Sequence, residues 1–157
     1  MKKTQITALK RIIKNAGNRP ALAGIFYDDN GRACVCDGIT AIRMSDSPGE
    51  LPTVPGVKLE HIYKYNAPGV ELRTPTADEL KTIIKESRAK KERIAFFDFG
   101  DGGPLVNARY LLNILTILPD AKIYEAATRP DISPLYFEST RGDALLMQFR
   151  REAAARV

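Results

Sequence analysis

Six cations, Lys2, Lys3, Lys10, Arg11, Lys14 and Arg19, precede the first acidic residue, Asp28. The whole chain carries a net charge of +5, so these six exceed that total and the remainder is close to neutral. An acid-free basic block suits a polyanion, whose phosphates Lys and Arg contact without reading sequence. A solvated basic helix face has the same composition, and charge alone leaves the two readings open. Spacing adds a direction. At about 100° per residue, Ile6, Leu9, Ile13 and Ala16 form one stripe with Ile12 on its flank. Lys3, Lys10 and Lys14 cluster away from that stripe, and Arg11 lies a little further round. One helix can therefore bury one side and offer cations from the other.

Other residues capable of chemistry have plainer explanations. Asp98-Phe99-Gly100 spells a magnesium-binding tripeptide of phosphoryl-transfer enzymes, but no Gly-rich phosphate loop or catalytic-loop motif accompanies it. A strand ending in a Gly-rich turn at 100–103 accounts for it. His61, the single histidine, stands beside Glu60 with no nucleophile indicated. Asp28, Asp29, Asp37 and Asp46 occupy turn positions where Asp is common. Cys34 and Cys36 sit two apart on an expected strand and so share a face; as two ligands they are too few for a metal, and two buried thiols fit them. No grouping supports acid-base or covalent catalysis, so a non-enzymatic protein without cofactor or metal is expected.

At 157 residues, with 44% hydrophobic and 27% charged residues, the chain is long enough for one domain with a sizeable core. No apolar run reaches membrane-spanning length. Met1-Lys2-Lys3 opens like a secretory leader, but Lys10, Arg11 and Lys14 interrupt any apolar segment, so a cytoplasmic protein is expected.

The elements follow from local signals. The first helix ends near Gly17, and Pro20 prevents its continuation. Residues 21–27 read as a strand, Asp28-Asp29-Asn30-Gly31 as a hairpin turn, 32–36 as the returning strand and 39–44 as a third. Residues 47–56 read as loop, 57–65 is ambiguous, and 70–73 suggests a short strand. Thr76-Ala77-Asp78-Glu79 has the form of a capping box opening a helix to about 91. Its inner face is Leu80, Ile83, Ile84 and Ser87. Lys81, Lys85 and Arg88 form a second basic stripe, diluted by Glu79, Glu86 and Glu92. Residues 93–99 read as a strand. Asn107 caps a strongly apolar helix that ends at Pro119, followed by strands over 121–125, 135–138 and 144–149. Residues 151–157 read as a flexible tail.

The chain also repeats itself. A helix over 7–14 is followed by Ile25-Phe26-Tyr27-Asp28 and, past Gly31, by Arg32-Ala33-Cys34-Val35; a helix over 107–115 is followed by Leu135-Tyr136-Phe137-Glu138 and, past Gly142, by Asp143-Ala144-Leu145. This predicts an α+β domain of two pseudo-symmetric halves, each a strand-helix-strands unit, with helices on one face of antiparallel sheets.

The second half resembles a known pattern. Val106-Asn107-Ala108-Arg109-Tyr110-Leu111-Leu112, Leu118-Pro119-Asp120-Ala121, Ser133-Pro134-Leu135-Tyr136-Phe137 and Leu145-Leu146-Met147 resemble one domain of the bacterial replicative sliding clamp, the β subunit of DNA polymerase III. More loosely, Leu9-Lys10-Arg11-Ile12-Ile13 resembles the clamp's first helix, and Cys36-Asp37-Gly38-Ile39-Thr40-Ala41-Ile42 its Thr-Asp-Gly segment. The likeness covers about 4–44 and 105–150, making one clamp-like domain over 1–150 with an inserted segment at about 46–103. It departs at Met147, where the family's Met-Pro ending is replaced by Gln148 and a longer basic tail.

The resemblance implies a DNA clamp fold and a processivity-factor role in DNA replication. Its expected partner is double-stranded DNA, bound without sequence preference, or other replication proteins, with no membrane. Clamps present three such domains per chain, so one domain encircling DNA would form a homo-oligomer, a hexamer; the single-domain size suits a phage-encoded protein. The DNA-facing candidates are Lys3, Lys10, Arg11 and Lys14, then Arg109, with Lys81 and Lys85 further out. The alternative is a clamp-fold interaction module that binds a partner peptide without DNA.

Overall fold

The computed structural model describes residues 1–100 and 102–154. Asp101 of the expected turn and residues 155–157 of the expected tail lie outside the described residues. The first helix, α1 (Lys3–Asn15), buries Gln5, Ala8, Leu9 and Ile12. Ile6 and Ile13 are only half-buried, so the inward stripe is turned toward Ala8 and Ile12 relative to the expected one. The reason is that α1 packs on two surfaces at once, the sheet and the helix α4 (Ala108–Ile117). Gln5 fixes their antiparallel alignment. Its amide donates to the Ile117 carbonyl at 3.3 Å, and its side-chain oxygen accepts from the Lys2 N–H at 2.9 Å.

The strand expected over 21–27 is mostly absent. Arg19 Nε donates to the Ala16 carbonyl at 2.9 Å and the Arg19 guanidinium also meets the Asp37 carbonyl. A 3-10 turn at Pro20–Leu22 follows, and β1 is only Phe26–Tyr27. Ile25 instead pairs with the loop expected at 47–56, donating to Pro52 O at 2.7 Å and accepting from Val54 N at 2.9 Å. That loop crosses over the Phe26 ring at Gly56. The φ of Gly56 is +72°, and a Cβ there would lie 2.1 Å from the ring.

The remaining strands are β2 (Ala33–Cys36), β3 (Thr40–Met44), β4 (Pro68–Leu72), β5 (Phe96–Asp98), β6 (Leu105–Asn107), β7 (Lys122–Ala126), β8 (Leu135–Ser139) and β9 (Gly142–Leu146). Seven form one antiparallel sheet in the order β1-β2-β3-β9-β8-β7-β4, and β5 pairs with β6 alone. The protein is thus α+β. A three-strand meander follows α1 and another follows α4, and the two join where β3 pairs with β9 from Thr40↔Leu146 to Met44↔Gly142.

The two hairpins that resemble each other in sequence are not equivalent in this sheet. The β1–β2 hairpin holds a two-residue edge strand, whereas the β8–β9 hairpin is interior. Tight turns between apolar strands draw on the same few residues wherever they occur. The first half places its Asp-Asn-Gly turn after its first strand and the second half places its turn after its second strand, so the local likeness joins strands at unlike places in the sheet.

Alternation assigns the faces. Val35, Ile42, Met44, Ile123, Leu135, Phe137, Ala144 and Leu146 meet α1, α4 and α3 (Ala77–Ala89). Cys34, Cys36, Ala41 and Leu145 point the other way. Both thiols are free and buried on one face, and burial pushes Cys34 up to about 12. The helices are not all on one face: the ambiguous 57–65 segment contains α2 (Glu60–Tyr65), which lays Leu59 and Tyr63 over the cysteine side.

Segment 46–103 is woven into this fold rather than appended. It contributes β4, which extends the sheet beyond β7, and α3, which packs against α4. Thr76 Oγ1 caps α3 by accepting from Glu79 N at 3.1 Å, but the Glu79 carboxylate turns to Arg73 at 2.8 and 3.0 Å instead of closing the expected box. At the other end, Phe149 N donates to Leu105 O at 2.8 Å. Of the expected tail, Arg151–Ala154 forms a helical turn, with Arg151 donating to Asp98 at 2.7 and 3.1 Å.

Candidate nucleic-acid interface

The helix layer has α4 at its centre, with α1 packed on one side and α3 on the other. Its central position explains the strongly apolar sequence of α4: Leu111, Ile114 and Ile117 are buried, and no residue of the helix is fully exposed. Asn107 starts it, its side-chain oxygen accepting from Arg109 N at 3.0 Å. The flanking helices leave a groove of about 310 Å³ above α4. Arg11 and Asn15 of α1 form one wall and Ile84 and Arg88 of α3 the other. Arg109, Tyr110, Leu112 and Asn113 lie along its floor.

Three arginines from three helices therefore line one groove, and no carboxylate lines it. Neither α1 nor α4 contains an acidic residue. On α3, Glu86 is two residues before Arg88, about 160° round the helix, and Glu79 is bound to Arg73. Among the described residues, none of Lys3, Lys10, Arg11, Lys14, Lys81, Lys85, Arg88 and Arg109 enters an ion pair. Asn113 is a second unmatched group. It is 5% exposed, lines the groove, and its amide makes no hydrogen bond among the described residues. Burial raises the Tyr110 hydroxyl pKa, and the negative charge of Asp37 raises it further.

The residues expected to face DNA are not gathered equally. Arg11 and Arg109 meet in the groove; Lys3 and Lys14 are exposed along the outer crest of α1. Lys10 takes the opposite flank, sharing a second cleft with Ile6, Ser47 and Glu50. Lys81 and Lys85 are exposed on α3. Arg19, counted with the opening cations, closes the end of α1 instead. Arg88, which the sequence sets in a basic stripe with Lys81 and Lys85 but not among the DNA-facing candidates, completes the groove; it lies a turn after Ile84, at the border of the apolar face. Asn113 had a signal too, an amide inside an otherwise apolar run.

Several of the other acid and base groups satisfy one another. On the far face of the sheet, Arg43 and Asp143 stand opposite each other across β3 and β9, joined at 2.8 and 2.5 Å. Their side chains are only 11% and 12% exposed. The Arg43 guanidinium lies 3.5 Å from the centroid of the Tyr63 ring, and the Tyr63 hydroxyl donates to Ala41 O at 3.2 Å. Arg32 binds Asp28 at 2.8 Å. Burial pulls against the charge on Arg43, yet the bond to Asp143 holds its pKa above the ordinary value. Asp28 is drawn below the carboxylate range: burial opposes this, and the backbone and side chain of Arg32 outweigh it. Asp37 Oδ1 accepts from the N–H groups of Ile39 and Thr40 at 2.9 and 2.6 Å, while Asp37 Oδ2 and Thr40 Oγ1 are buried without a partner among the described residues, and Asp46 faces Arg141 at 3.6 Å. Asp98 is held by Arg151, and His61 lies on the exposed side of α2. Among the described residues no three of His, Cys, Asp and Glu come together as a metal-binding group, and no helix is long and apolar enough to cross a membrane.

Set beside known proteins, the chain matches no family model, no curated protein and no solved structure.

Proposed function

We propose that this chain is a non-enzymatic, sliding-clamp-like protein that binds nucleic acid through its helix layer, by phosphate contacts that ignore sequence. The observation that carries this is the groove above α4, where Arg11, Arg88 and Arg109 converge without a carboxylate. Cations that no protein acid neutralises are what a polyanion needs; a merely solvated face gives no reason for three helices to bring arginines to one place. The order of elements supports the clamp-like part. A helix and a three-strand meander occur twice, the meanders join edge to edge, and both helices lie on one face. Such an order is consistent with a clamp domain, itself a duplicated unit. To surround a duplex, several copies would assemble into a ring, and the role would be that of a processivity factor in replication.

The test is binding of a labelled oligonucleotide by fluorescence anisotropy at low salt. Wild type binds, and the combined Arg11→Gln, Arg88→Gln and Arg109→Gln variant loses at least tenfold in affinity at an unchanged melting temperature. No binding by wild type, or equal binding by the variant, overturns the proposal. Light scattering with and without duplex tests the ring.

One observation favours the second reading, a clamp-fold module that takes a partner peptide by strand addition. The edge strand β4 has no neighbour on its outer side among the described residues, and its Val70 is 70% exposed. Wild type that ignores nucleic acid but pairs a peptide along β4 would support that alternative.

A further inference from the structure

Resting on the nucleic-acid reading above, we propose that the groove above α4 is a subsite for a single unpaired nucleotide, with Arg11, Arg88 and Arg109 on its phosphate and the Asn113 amide on the edge of its base. The arginines alone would fit any phosphate. Asn113 narrows the choice, because its residue is 5% exposed, lines this groove, and has an amide that is within reach of solvent and makes no hydrogen bond among the described residues. An amide offers two N–H donors and a carbonyl acceptor side by side, the pattern that pairs with a nucleobase edge. Ile84, Leu112 and the half-buried Tyr110 give the rest of the wall an apolar character suited to the flat of a base.

The size of the groove argues against a paired base. About 310 Å³ lies at the small end of ligand pockets and holds one nucleotide, not two strands. In a duplex the base edges stay within the stack, and side chains reach them only by projecting into a groove of the nucleic acid. Asn113 does the reverse, sitting at the bottom of a groove in the protein. Only a base swung out of a stack, or one never stacked, descends to it. A strand and a free nucleotide share this chemistry, and the measurement separates them.

The experiment compares three probes with wild-type protein at one salt concentration: a short labelled single strand, the same strand carrying abasic sites, and the blunt duplex. Adenosine monophosphate is added as competitor. The expected result is single-strand affinity at least fivefold above that of the abasic strand and of the duplex, with millimolar nucleotide competing weakly. Asn113→Leu, which suits the apolar helix, removes the advantage of the intact single strand over the abasic strand. Should that variant fail to fold, the abasic comparison on wild type decides alone. Equal affinity for the abasic and intact strands overturns the subsite even where duplex binding and its dependence on the three arginines persist, so the broader function survives that failure. Nucleotide bound as tightly as the strand assigns the groove to a free ligand and overturns the strand assignment. Loss of all binding removes both.

Discussion

The sheet carries arginines on both of its sides, and the two sets are held in opposite ways. On the cysteine side, Arg43 is clasped by Asp143, lies against the Tyr63 ring and has Arg32 and Asp28 as neighbours. Above the helix layer, Arg11, Arg88 and Arg109 share a groove and enter no ion pair among the described residues. Each arrangement follows from burial. A charge taken out of water must be neutralised within the fold, because leaving it alone costs several kcal/mol. A charge at the mouth of a groove stays hydrated and remains available to something else. The paired set holds the fold; the unpaired set is the one to examine for binding.

Removing Asp143 gives the largest effect. Asp143→Ala strands the Arg43 guanidinium in its buried place and lowers stability by about 3–5 kcal/mol, read by urea denaturation. Arg43→Met together with Asp143→Leu recovers much of that loss, since an apolar pair of similar volume replaces a buried ion pair at little cost. A single Asp143 variant as stable as wild type breaks the distinction between the two sides. The combined glutamine variant at Arg11, Arg88 and Arg109 behaves in the opposite manner, with stability within about 0.5 kcal/mol of wild type, as for exposed positions away from core features.

A smaller effect sits between the two sets. Asn107 caps the helix that bears Arg109, and Asn107→Ala loses about 1 kcal/mol of stability by freeing the Arg109 N–H. The smallest is a pH effect at Asp120. Hydrogen bonds from Ser139 and then Thr140 hold its carboxyl down to about 2, against an ordinary 3.8. The folded state therefore holds the proton less tightly than the unfolded chain does. The stabilisation is complete above about pH 4 and is lost as pH falls toward 2. Ser139→Ala flattens that part of the acid-unfolding curve.

Local signals in the sequence located the elements that local chemistry decides. The Asn107 and Thr76 caps, the turn after Asp28, the pairing of faces at Cys34 and Cys36 and the outward cations of α1 were all legible. Contacts between distant segments were not. The strand expected over 21–27 gave way because Ile25 found its partners in residues 52–54, and the unlike places of the two hairpins, β1–β2 at the edge and β8–β9 inside, depend on sheet order. Arg88 joins Arg109 only because α3 packs beside α4. Half of the groove was therefore readable from helix periodicity, and the other half required the helix packing.

The most direct measurement is the salt dependence of single-strand affinity for wild type and for the glutamine variant at Arg11, Arg88 and Arg109. Each arginine on a phosphate contributes about 0.7 to the slope of log affinity against log salt. Wild type is expected to show a steep negative slope, reduced by roughly 2 in the variant. Identical slopes, or wild-type binding insensitive to salt, would contradict the assignment of these arginines to a polyanion.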